Sequence, residues 1–176
     1  MKLDVAVVGA SSAGLLAAER LARSGARVSI FERADRLAPP RRTLIITPQL
    51  NRLLGNLPPA IVMHRTPIMA VESRHASVEV PLKEADLIVE RACLINYLAE
   101  RAQTAGATLH LSSRFAGIEP GAAGAVLHFR RSDGSDRRHV AGAVIGADAA
   151  ERPVGAAAGI PRPSTVPILQ AEVGLP

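Results

Sequence analysis

The sequence predicts an α/β fold in which a parallel sheet is followed by a β-meander. The first 32 residues contain a strand, a helix and a second strand, and a crossover of this kind makes the two strands parallel. One helix-to-strand corner then occurs twice, as SGARVSI at 24–30 and as AGATLHL at 105–111. Residues 114–148 hold strand-like segments separated by turn signals, which is the pattern of a meander.

The first elements follow from local composition. The valine-rich segment LDVAVV predicts a strand over 3–8, and apolar residues at helical spacings predict a helix over 13–24. Gly25 ends this helix because glycine adopts the left-handed cap conformation without steric cost. A second strand ends at Glu32. Six prolines predict that 33–67 is rich in loops, with one short helix near 48–54.

The later elements are short strands around one further helix. PIMAVE, ASVEV and ADLIVE predict extended segments, and a helical pattern then runs from Arg91 to Ala105, where Gly106 caps it. The strand ATLHL follows, and the pair Asp133-Gly134 marks a hairpin between the last strands. The prolines of the final 25 residues predict a segment that leaves the domain.

Composition excludes several functional classes. Apolar residues make up 48% of the chain, as in a globular protein, whereas aromatic residues make up only 2%, too few for stacking on single-stranded nucleic acid. The net charge of +5 is spread without a run of five basic residues, so we expect no nucleic-acid partner. No stretch approaches the roughly 18 apolar residues of a membrane span.

Cysteine and histidine content narrows the remaining classes. The single cysteine, Cys93, excludes an intramolecular disulfide and a multi-cysteine zinc site, and its helical context predicts a buried side chain. The five histidines show no metal-ligand spacing, so we expect no metal site. These features fit a reduced, cytoplasmic setting.

The segment VVGASSAG at 7–14 has the spacing of a dinucleotide-binding turn. Gly9 permits a tight turn after the strand, and Gly14 permits close packing of the helix on the strand. The helix start at Ser12 and Ala13 presents free N–H groups and a positive dipole end to a pyrophosphate. Ser11 replaces the usual middle glycine, and its hydroxyl can donate a hydrogen bond to a phosphate oxygen.

An acidic residue supports the nucleotide interpretation. Glu32 lies at the end of the second strand, 18 residues after Gly14, where a carboxylate can accept hydrogen bonds from both ribose hydroxyls of an adenosine. The same carboxylate would repel a 2′-phosphate, which disfavours NADP at this position. The alternative is a helix-packing glycine pair with an unrelated surface glutamate. The pattern fits either NAD or FAD.

The whole layout resembles the flavin-binding part of the para-hydroxybenzoate hydroxylase-like flavoproteins, a group that includes class A aromatic monooxygenases and geranylgeranyl reductase-like enzymes. Three segments carry the resemblance, and together they extend over about residues 3–160: DVAVVGASSAGLLAAERLARSGARVSIFER, RRTLIITPQLNRLLG, and the stretch from VERACLINYLAERA to VIGADAAERPVGAAAG. The resemblance implies a Rossmann-like FAD-binding domain of the glutathione-reductase type.

The resemblance also implies which residues contact FAD. Arg33 matches the usual arginine after the acid, and Arg42 matches an arginine that begins a loop beside the flavin. Arg91 matches an arginine that reaches the FAD phosphates, and Asp148 matches an acid that contacts FAD. The alternatives are an exposed loop cation for Arg42 and a surface arginine paired with an acid such as Glu90 for Arg91.

The segment after Asp148 departs from the family pattern. Ala149 stands where the family has glycine, Arg152 where it has serine, and Gly155 where it has arginine. Family members are usually much longer, so the chain is expected to be a truncated form or a fragment. We expect residues 1–160 to be the FAD-binding domain, with 60–90 beginning a substrate-side β excursion. Residues 161–176 are then an exit segment towards a substrate domain.

The resemblance implies an FAD-dependent oxidoreductase, similar to a monooxygenase or hydroxylase, that uses NAD(P)H to reduce the flavin. Its substrate would be a small aromatic or isoprenoid molecule. The alternatives are a geranylgeranyl reductase-like isoprenoid reductase, a non-catalytic nucleotide-binding fragment, and an NAD-binding dehydrogenase. The residues themselves identify no catalytic acid or base.

Overall fold

The computed structural model of the chain describes residues 2–40 and 42–167. These residues divide into two units: the first combines the chain up to Leu37 with the chain from Ile95 onward, and the second comprises Ala38–Leu94. Part of the predicted exit segment, residues 168–176, lies outside the described residues.

The secondary structure alternates as an α/β fold requires. The strands and α-helices are, in chain order, β1 (Leu3–Val8), α1 (Ser12–Arg23), β2 (Val28–Phe31), β3 (Thr43–Ile46), α2 (Pro48–Leu53), β4 (Val62–Glu72), β5 (Ser77–Glu90), α3 (Arg91–Thr104), β6 (Thr108–His110), β7 (Ser113–Gly121), β8 (Gly124–Arg131), β9 (Asp136–Gly146) and α4 (Pro153–Ala157). Two short 3₁₀ turns lie at Pro59–Ile61 and Ala149–Glu151.

The sheet of the first unit has the order β6-β2-β1-β9-β8-β7. The strands β6, β2, β1 and the second half of β9 are parallel to one another, whereas β7, β8 and β9 form an antiparallel meander. Both predicted helix-to-strand corners therefore add parallel strands to one sheet. Val7 and Ile30 are fully buried, because a parallel sheet is covered on both faces.

The long strand β9 joins the meander to the parallel sheet. Ala141 pairs with Ala125 on β8 and also with Leu3 on β1, so β9 passes from one partner to the other at this fully buried alanine. The second half of β9 then runs beside β1 to its end. As a result, the residues after Gly146 emerge next to the turn that follows β1.

The few aromatic residues are concentrated in the core of the first unit. Phe31 on β2 stacks on Phe129 on β8 with ring centroids 4.1 Å apart, and Phe115 meets Phe129 edge to face. His110 and His139 pack against Phe31 at 4.8 and 4.7 Å. The contact between Phe31 and Phe129 joins strands that are not neighbours in the sheet, whereas His110 is the register partner of Phe31 on the adjacent strand β6.

A buried ion pair links α1 to the later turns of α3. Glu19 is only 1% exposed, and its carboxylate lies 2.7 Å from Nη2 of Arg101 and 2.9 Å from Nη2 of Arg23. A buried carboxylate is tolerated only when it is paired and hydrogen-bonded. These ion pairs fix the rotation of α1 about its own axis, because Glu19 must face Arg101.

The second unit is an antiparallel sheet in the order β3-β5-β4. Its strands β4 and β5 form a long hairpin, in which Met69 faces Val80 and Val71 faces Val78 across the strands. Directly opposed residues share one face of a sheet, and these four apolar side chains are 39 to 56% exposed. This face of the hairpin therefore presents apolar surface.

The structure differs from the predicted elements mainly in the second unit. The strand β3 was not predicted, because TLII is short and lies among prolines, and β4 begins at Val62 within the predicted loop. β5 is one continuous strand, since Pro81 lies beside a register shift, where a strand accepts proline. The predicted burial of Cys93 is wrong: it is exposed, one position away from the buried stripe of α3 that begins at Leu94.

Candidate functional site

Gly9 ends β1 in a backbone conformation that favours glycine. Its φ is +101°, and a Cβ at this position would lie 2.3 Å from the carbonyl oxygen of Ala147 and 3.0 Å from the N–H nitrogen of Asp148. The predicted tight turn is therefore present. Its crowding comes from the segment after β9, whose residue Ala147 donates a hydrogen bond to the carbonyl of Val8 at 2.7 Å.

Gly14 lets α1 approach the end of β1 closely. A Cβ at Gly14 would lie 2.4 Å from the carbonyl oxygen of Gly9 and 2.8 Å from Cβ of Ala147, distances that real Cβ atoms do not adopt. This agrees with the packing role expected of the last glycine in a dinucleotide-binding turn. The two glycines thus bring β1, α1 and the end of β9 together.

The start of α1 is capped by Ser11. Its Oγ accepts a hydrogen bond from the N–H of Gly14 at 3.3 Å, so the serine acts as the N-cap and its own O–H can still donate. Ser12 and Ala13 occupy the first turn, where N–H groups have no carbonyl partner within the helix. This helix end, with no acidic residue in its first turn, can accept an anion.

The carboxylate of Glu32 is directed at the glycine turn. Its Oε2 accepts a hydrogen bond from the N–H of Ala10 at 2.8 Å, and its Oε1 accepts one from the N–H of Ala34 at 3.0 Å. Each carboxylate oxygen has a second lone pair that a hydroxyl can reach. Because Glu32 is half-buried, the group is held in place and still accessible.

Asp148 lies beside the same turn, after the end of β9. Its Oδ2 accepts a hydrogen bond from the N–H of Val154 at 2.8 Å, which ties the aspartate to the start of α4. Arg33, directly after Glu32, pairs with Glu151 at 2.6 Å, and both side chains are more than half exposed. The structure thus brings the predicted residues of the first unit to one edge of the parallel sheet.

The other two predicted residues belong to the second unit and lie near each other. The N–H of Arg91 donates to the carbonyl of Arg42 at 2.9 Å. Burial and the like charge of Arg42 lower the pKa of Arg91, whereas the nearby Glu90 acts in the opposite direction. Two neighbouring guanidinium groups are a favourable environment for an anion. Their roles towards a ligand stay predictions.

Glu90 explains how α3 begins with an arginine. Its Oε2 accepts a hydrogen bond from the N–H of Cys93 at 2.9 Å, and this bond is the main cause of the lowered pKa of Glu90. A carboxylate at a helix N-terminus is favoured by the dipole, which offsets the unfavourable position of Arg91. Sequence reasoning placed Arg91 at this helix start but did not identify Glu90 as its cap.

Two further contributions to the turn were not predicted from the sequence. Ala10 within the turn donates its backbone N–H to Glu32, and Ala147 after β9 contacts the turn through its carbonyl group and its Cβ, so neither has a distinctive side chain that would mark it. Glu151 and Arg152 lie in the segment that departs from the family pattern. In the sequence, this departure is what indicated that the segment differs from its relatives.

A separate cleft of about 350 Å³ lies in the second unit and contains none of the predicted site residues. An ion pair between Arg52 and Glu84, 2.9 Å apart and largely exposed, forms part of its wall. Within residues 2–40 and 42–167, no cluster of metal-ligating side chains occurs. Over the same residues, every helix is too short or too polar to cross a bilayer.

Comparison with known proteins agrees with this geometry. The chain matches the family model described as FAD binding domain over residues 2–174. It is 31% identical over 156 residues to a geranylgeranyl diphosphate reductase of Rhodobacter capsulatus, and the match covers 88% of this chain and 39% of that protein. It is also 31% identical over 157 residues to a 3-amino-4-hydroxybenzoate 2-monooxygenase of Streptomyces platensis, over 82% of this chain and 39% of that protein.

Solved structures show the same fold. A geranylgeranyl bacteriochlorophyll reductase-like protein from Thermoplasma acidophilum superposes with a TM-score of 0.80 at 22% identity, over 90% of this chain and 42% of that one. A p-nitrophenol 4-monooxygenase from Pseudomonas putida superposes with a TM-score of 0.77 at 19% identity, over 90% and 44%. The predicted fold and family resemblance are confirmed. The chain spans about two fifths of the length of the curated relatives it matches.

Proposed function

Because this chain belongs to the FAD-binding domain family, we propose that it holds the FAD of a flavin-dependent oxidoreductase of the hydroxylase or monooxygenase type. The single observation that carries the proposal is the hydrogen bond between Ala10 and Glu32. It places a carboxylate beside a helix N-terminus, so that one edge of the sheet offers acceptors for a ribose and donors for a pyrophosphate.

The residues present suit the two polar parts of FAD. Gly9 and Gly14 supply the close backbone approach, while Ser11, Ser12 and Ala13 supply donors to the pyrophosphate. Glu32 would accept hydrogen bonds from the adenosine ribose. Asp148, with Oδ2 bonded to Val154, would use its other oxygen for the cofactor.

Three arginines are the remaining residues that we propose for contacts with FAD. We assign Arg42 and Arg91 to anionic or flavin-adjacent parts of FAD, supported by their mutual proximity and by the lowered pKa of Arg91, which burial and then the like charge of Arg42 cause. Arg33 would act through its ion pair with Glu151, which steadies the segment after Asp148. When bound, FAD would supply the redox chemistry, and these residues would bind and orient it.

Organisation along the chain follows the same proposal. Residues 1–160 would form the FAD-binding part, and 60–90 would begin the substrate side. The exposed apolar face of the hairpin, with Met69 and Val80 opposed across the strands, supports this assignment because such a surface suits contact with an apolar ligand or with further polypeptide. The substrate would be a small aromatic or isoprenoid molecule, and we propose no nucleic-acid partner.

We further propose NAD(P)H as the electron donor and the cytoplasm as the compartment, where that donor is plentiful. A reductase acting on an isoprenoid double bond is the second candidate, supported by the 31% identity to a geranylgeranyl diphosphate reductase. Identity to the monooxygenase relative is the same, so sequence similarity does not rank the two. A nucleotide-binding part without activity of its own is the third candidate.

Spectroscopy and turnover separate these candidates. The purified chain should bind FAD with an absorption band near about 450 nm, which NAD does not produce. Phenol-stimulated NAD(P)H oxidation would support the hydroxylase, and anaerobic reduction of an isoprenoid double bond would support the reductase. FAD binding without either reaction would identify a binding part alone. Absence of FAD binding at high micromolar FAD would overturn the proposal.

A further inference from the structure

The segment after Asp148 is held in an unusual backbone conformation. Ala149 and Arg152 have φ values of +62° and +48°, in the left-handed region that favours glycine. Non-glycine residues keep this conformation only where surrounding contacts hold it. Two such residues within four positions therefore call for an explanation by side-chain contacts.

Arg152 makes contacts of this kind. Its guanidinium lies directly over Gly155, where a Cβ would be 3.1 Å from Nη2 and 3.4 Å from both Cζ and Nε. Its Nη1 donates a hydrogen bond to the carbonyl oxygen of Pro161 at 3.1 Å. The side chain thus covers α4 and connects it to the segment that follows.

The absence of a side chain at Gly155 makes this placement possible. A Cβ there would require the guanidinium to shift by a few tenths of an ångström, whereas a long side chain such as arginine would compete for the same space and add a like charge. One guanidinium therefore occupies space that two could not share.

The covered turn is the one that holds Asp148. The N–H of Val154 donates to Oδ2 of Asp148, and Val154 is buried in the core beside Gly146. Opening the turn between 149 and 153 would separate this donor from the carboxylate. The position of the carboxylate thus depends on the turn that Arg152 covers.

We propose that Arg152 is a positioning residue: its guanidinium, seated on Gly155 and bonded to the Pro161 carbonyl, keeps the turn closed and so orients the Asp148 carboxylate towards the cofactor. The cofactor half of this statement rests on the proposed function. The closure of the turn does not, because every contact that carries it lies within the chain.

The test uses Arg152→Gly in the full chain. Glycine keeps the left-handed backbone at no steric cost but also frees it, so Arg152→Lys, which keeps an L side chain and a positive charge at this position, isolates the part of the loss that belongs to the guanidinium. We expect amide hydrogen exchange at Val154, measured by NMR, to be at least about tenfold faster, and FAD affinity to be about tenfold weaker. Arg152→Lys should recover only part of both, and Arg74→Gly, at an exposed arginine of the hairpin turn, is the control and should change neither.

A second variant tests the coupling with Gly155. Gly155→Arg should accelerate Val154 exchange in the native background and should have a much smaller effect when Arg152→Gly is already present. Unchanged exchange at Val154 in Arg152→Gly, or equal effects of Gly155→Arg in both backgrounds, would overturn the inference. Faster exchange with unchanged FAD affinity would overturn its cofactor half. If the native chain binds no FAD, the proposed function fails and the exchange data alone decide the closure of the turn.

Discussion

The turn between β1 and α1 and the hairpin of β4 and β5 are built in opposite ways. At the turn, Gly9 and Gly14 lie so close to neighbouring backbone that a Cβ has no room. On the hairpin, Met69 and Val78 are about half exposed, so a different side chain at either position would extend into solvent. The comparison teaches that the turn is specified by backbone contacts within its own unit, whereas the hairpin face is open to solvent and its side chains are not specified by packing.

The largest expected effect is on the free energy of unfolding, and it distinguishes steric crowding at Gly9 from the cost of a positive φ alone. Gly9→Ala places a Cβ against Ala147, whereas Gly25→Ala meets no atom within 4 Å although its φ is a similar +89°. We expect Gly9→Ala to lower the free energy of unfolding by about 3 kcal/mol or more, and Gly25→Ala by only about 1 kcal/mol. Chemical denaturation measures both. Equal losses would show that crowding at the turn is unimportant.

How much of this contrast could be predicted from sequence differs between the regions. The spacing of Gly9, Gly14 and Glu32 predicts the turn and its acidic partner, because both depend on a local strand–helix–strand pattern. The part played by Ala147 could not be predicted, since it arises from the path of β9 beside β1. Glycine signatures indicate where backbones approach but do not name the approaching segment.

The second unit was harder to predict for a related reason. The strand β3 is four residues long and pairs with β5 more than forty residues later, so no local period marks it. The two arginines at 42 and 91 become neighbours through that pairing, and only the family resemblance indicated them.

In the first unit, the buried pair of Glu19 and Arg101 likewise joins residues that are far apart in sequence.

An effect of intermediate size is expected from two histidines of the first unit, compared with an exposed histidine of the hairpin. Burial is the main cause that lowers the pKa of both His110 and His139 below the ordinary 6.5. Arg131 acts in the same direction on the pKa of His110, and His110 and Arg137 do so on that of His139. The folded chain therefore binds fewer protons than the unfolded chain in the window below pH 6.5. Stability should be fully present above that pH and should decrease as pH falls through it towards the folded-state values.

Thermal unfolding between about pH 7.5 and about pH 5 measures this decrease. His139→Phe preserves a ring against Phe31 and should make the decline shallower. The matched control is His75→Gln, at an exposed position beside the hairpin turn, which should leave the pH profile unchanged. A profile that responds equally to both substitutions would contradict the assignment of the decline to the half-buried histidines His110 and His139.

The smallest expected effect lies on the hairpin. Replacing Met69 and Val78 together by serine should change the free energy of unfolding of the first unit by less than about 0.5 kcal/mol, because both side chains are exposed. Leu127→Ser, in the fully buried core, should cost about 3 kcal/mol or more. A hairpin pair as costly as Leu127→Ser would contradict the assignment of these side chains to solvent-exposed surface.

The most direct measurement of the central claim is a titration of the chain with FAD, followed by quenching of flavin fluorescence. Native chain and Glu32→Gln are compared, with the exposed hairpin substitution Glu72→Gln as control. An amide at position 32 places an NH₂ group where the N–H of Ala10 or of Ala34 needs an acceptor. We predict affinity at least about tenfold weaker for Glu32→Gln, unchanged affinity for Glu72→Gln, and competition by ADP. Equal FAD affinity in all three proteins would contradict the claim that this carboxylate and the glycine turn hold the cofactor.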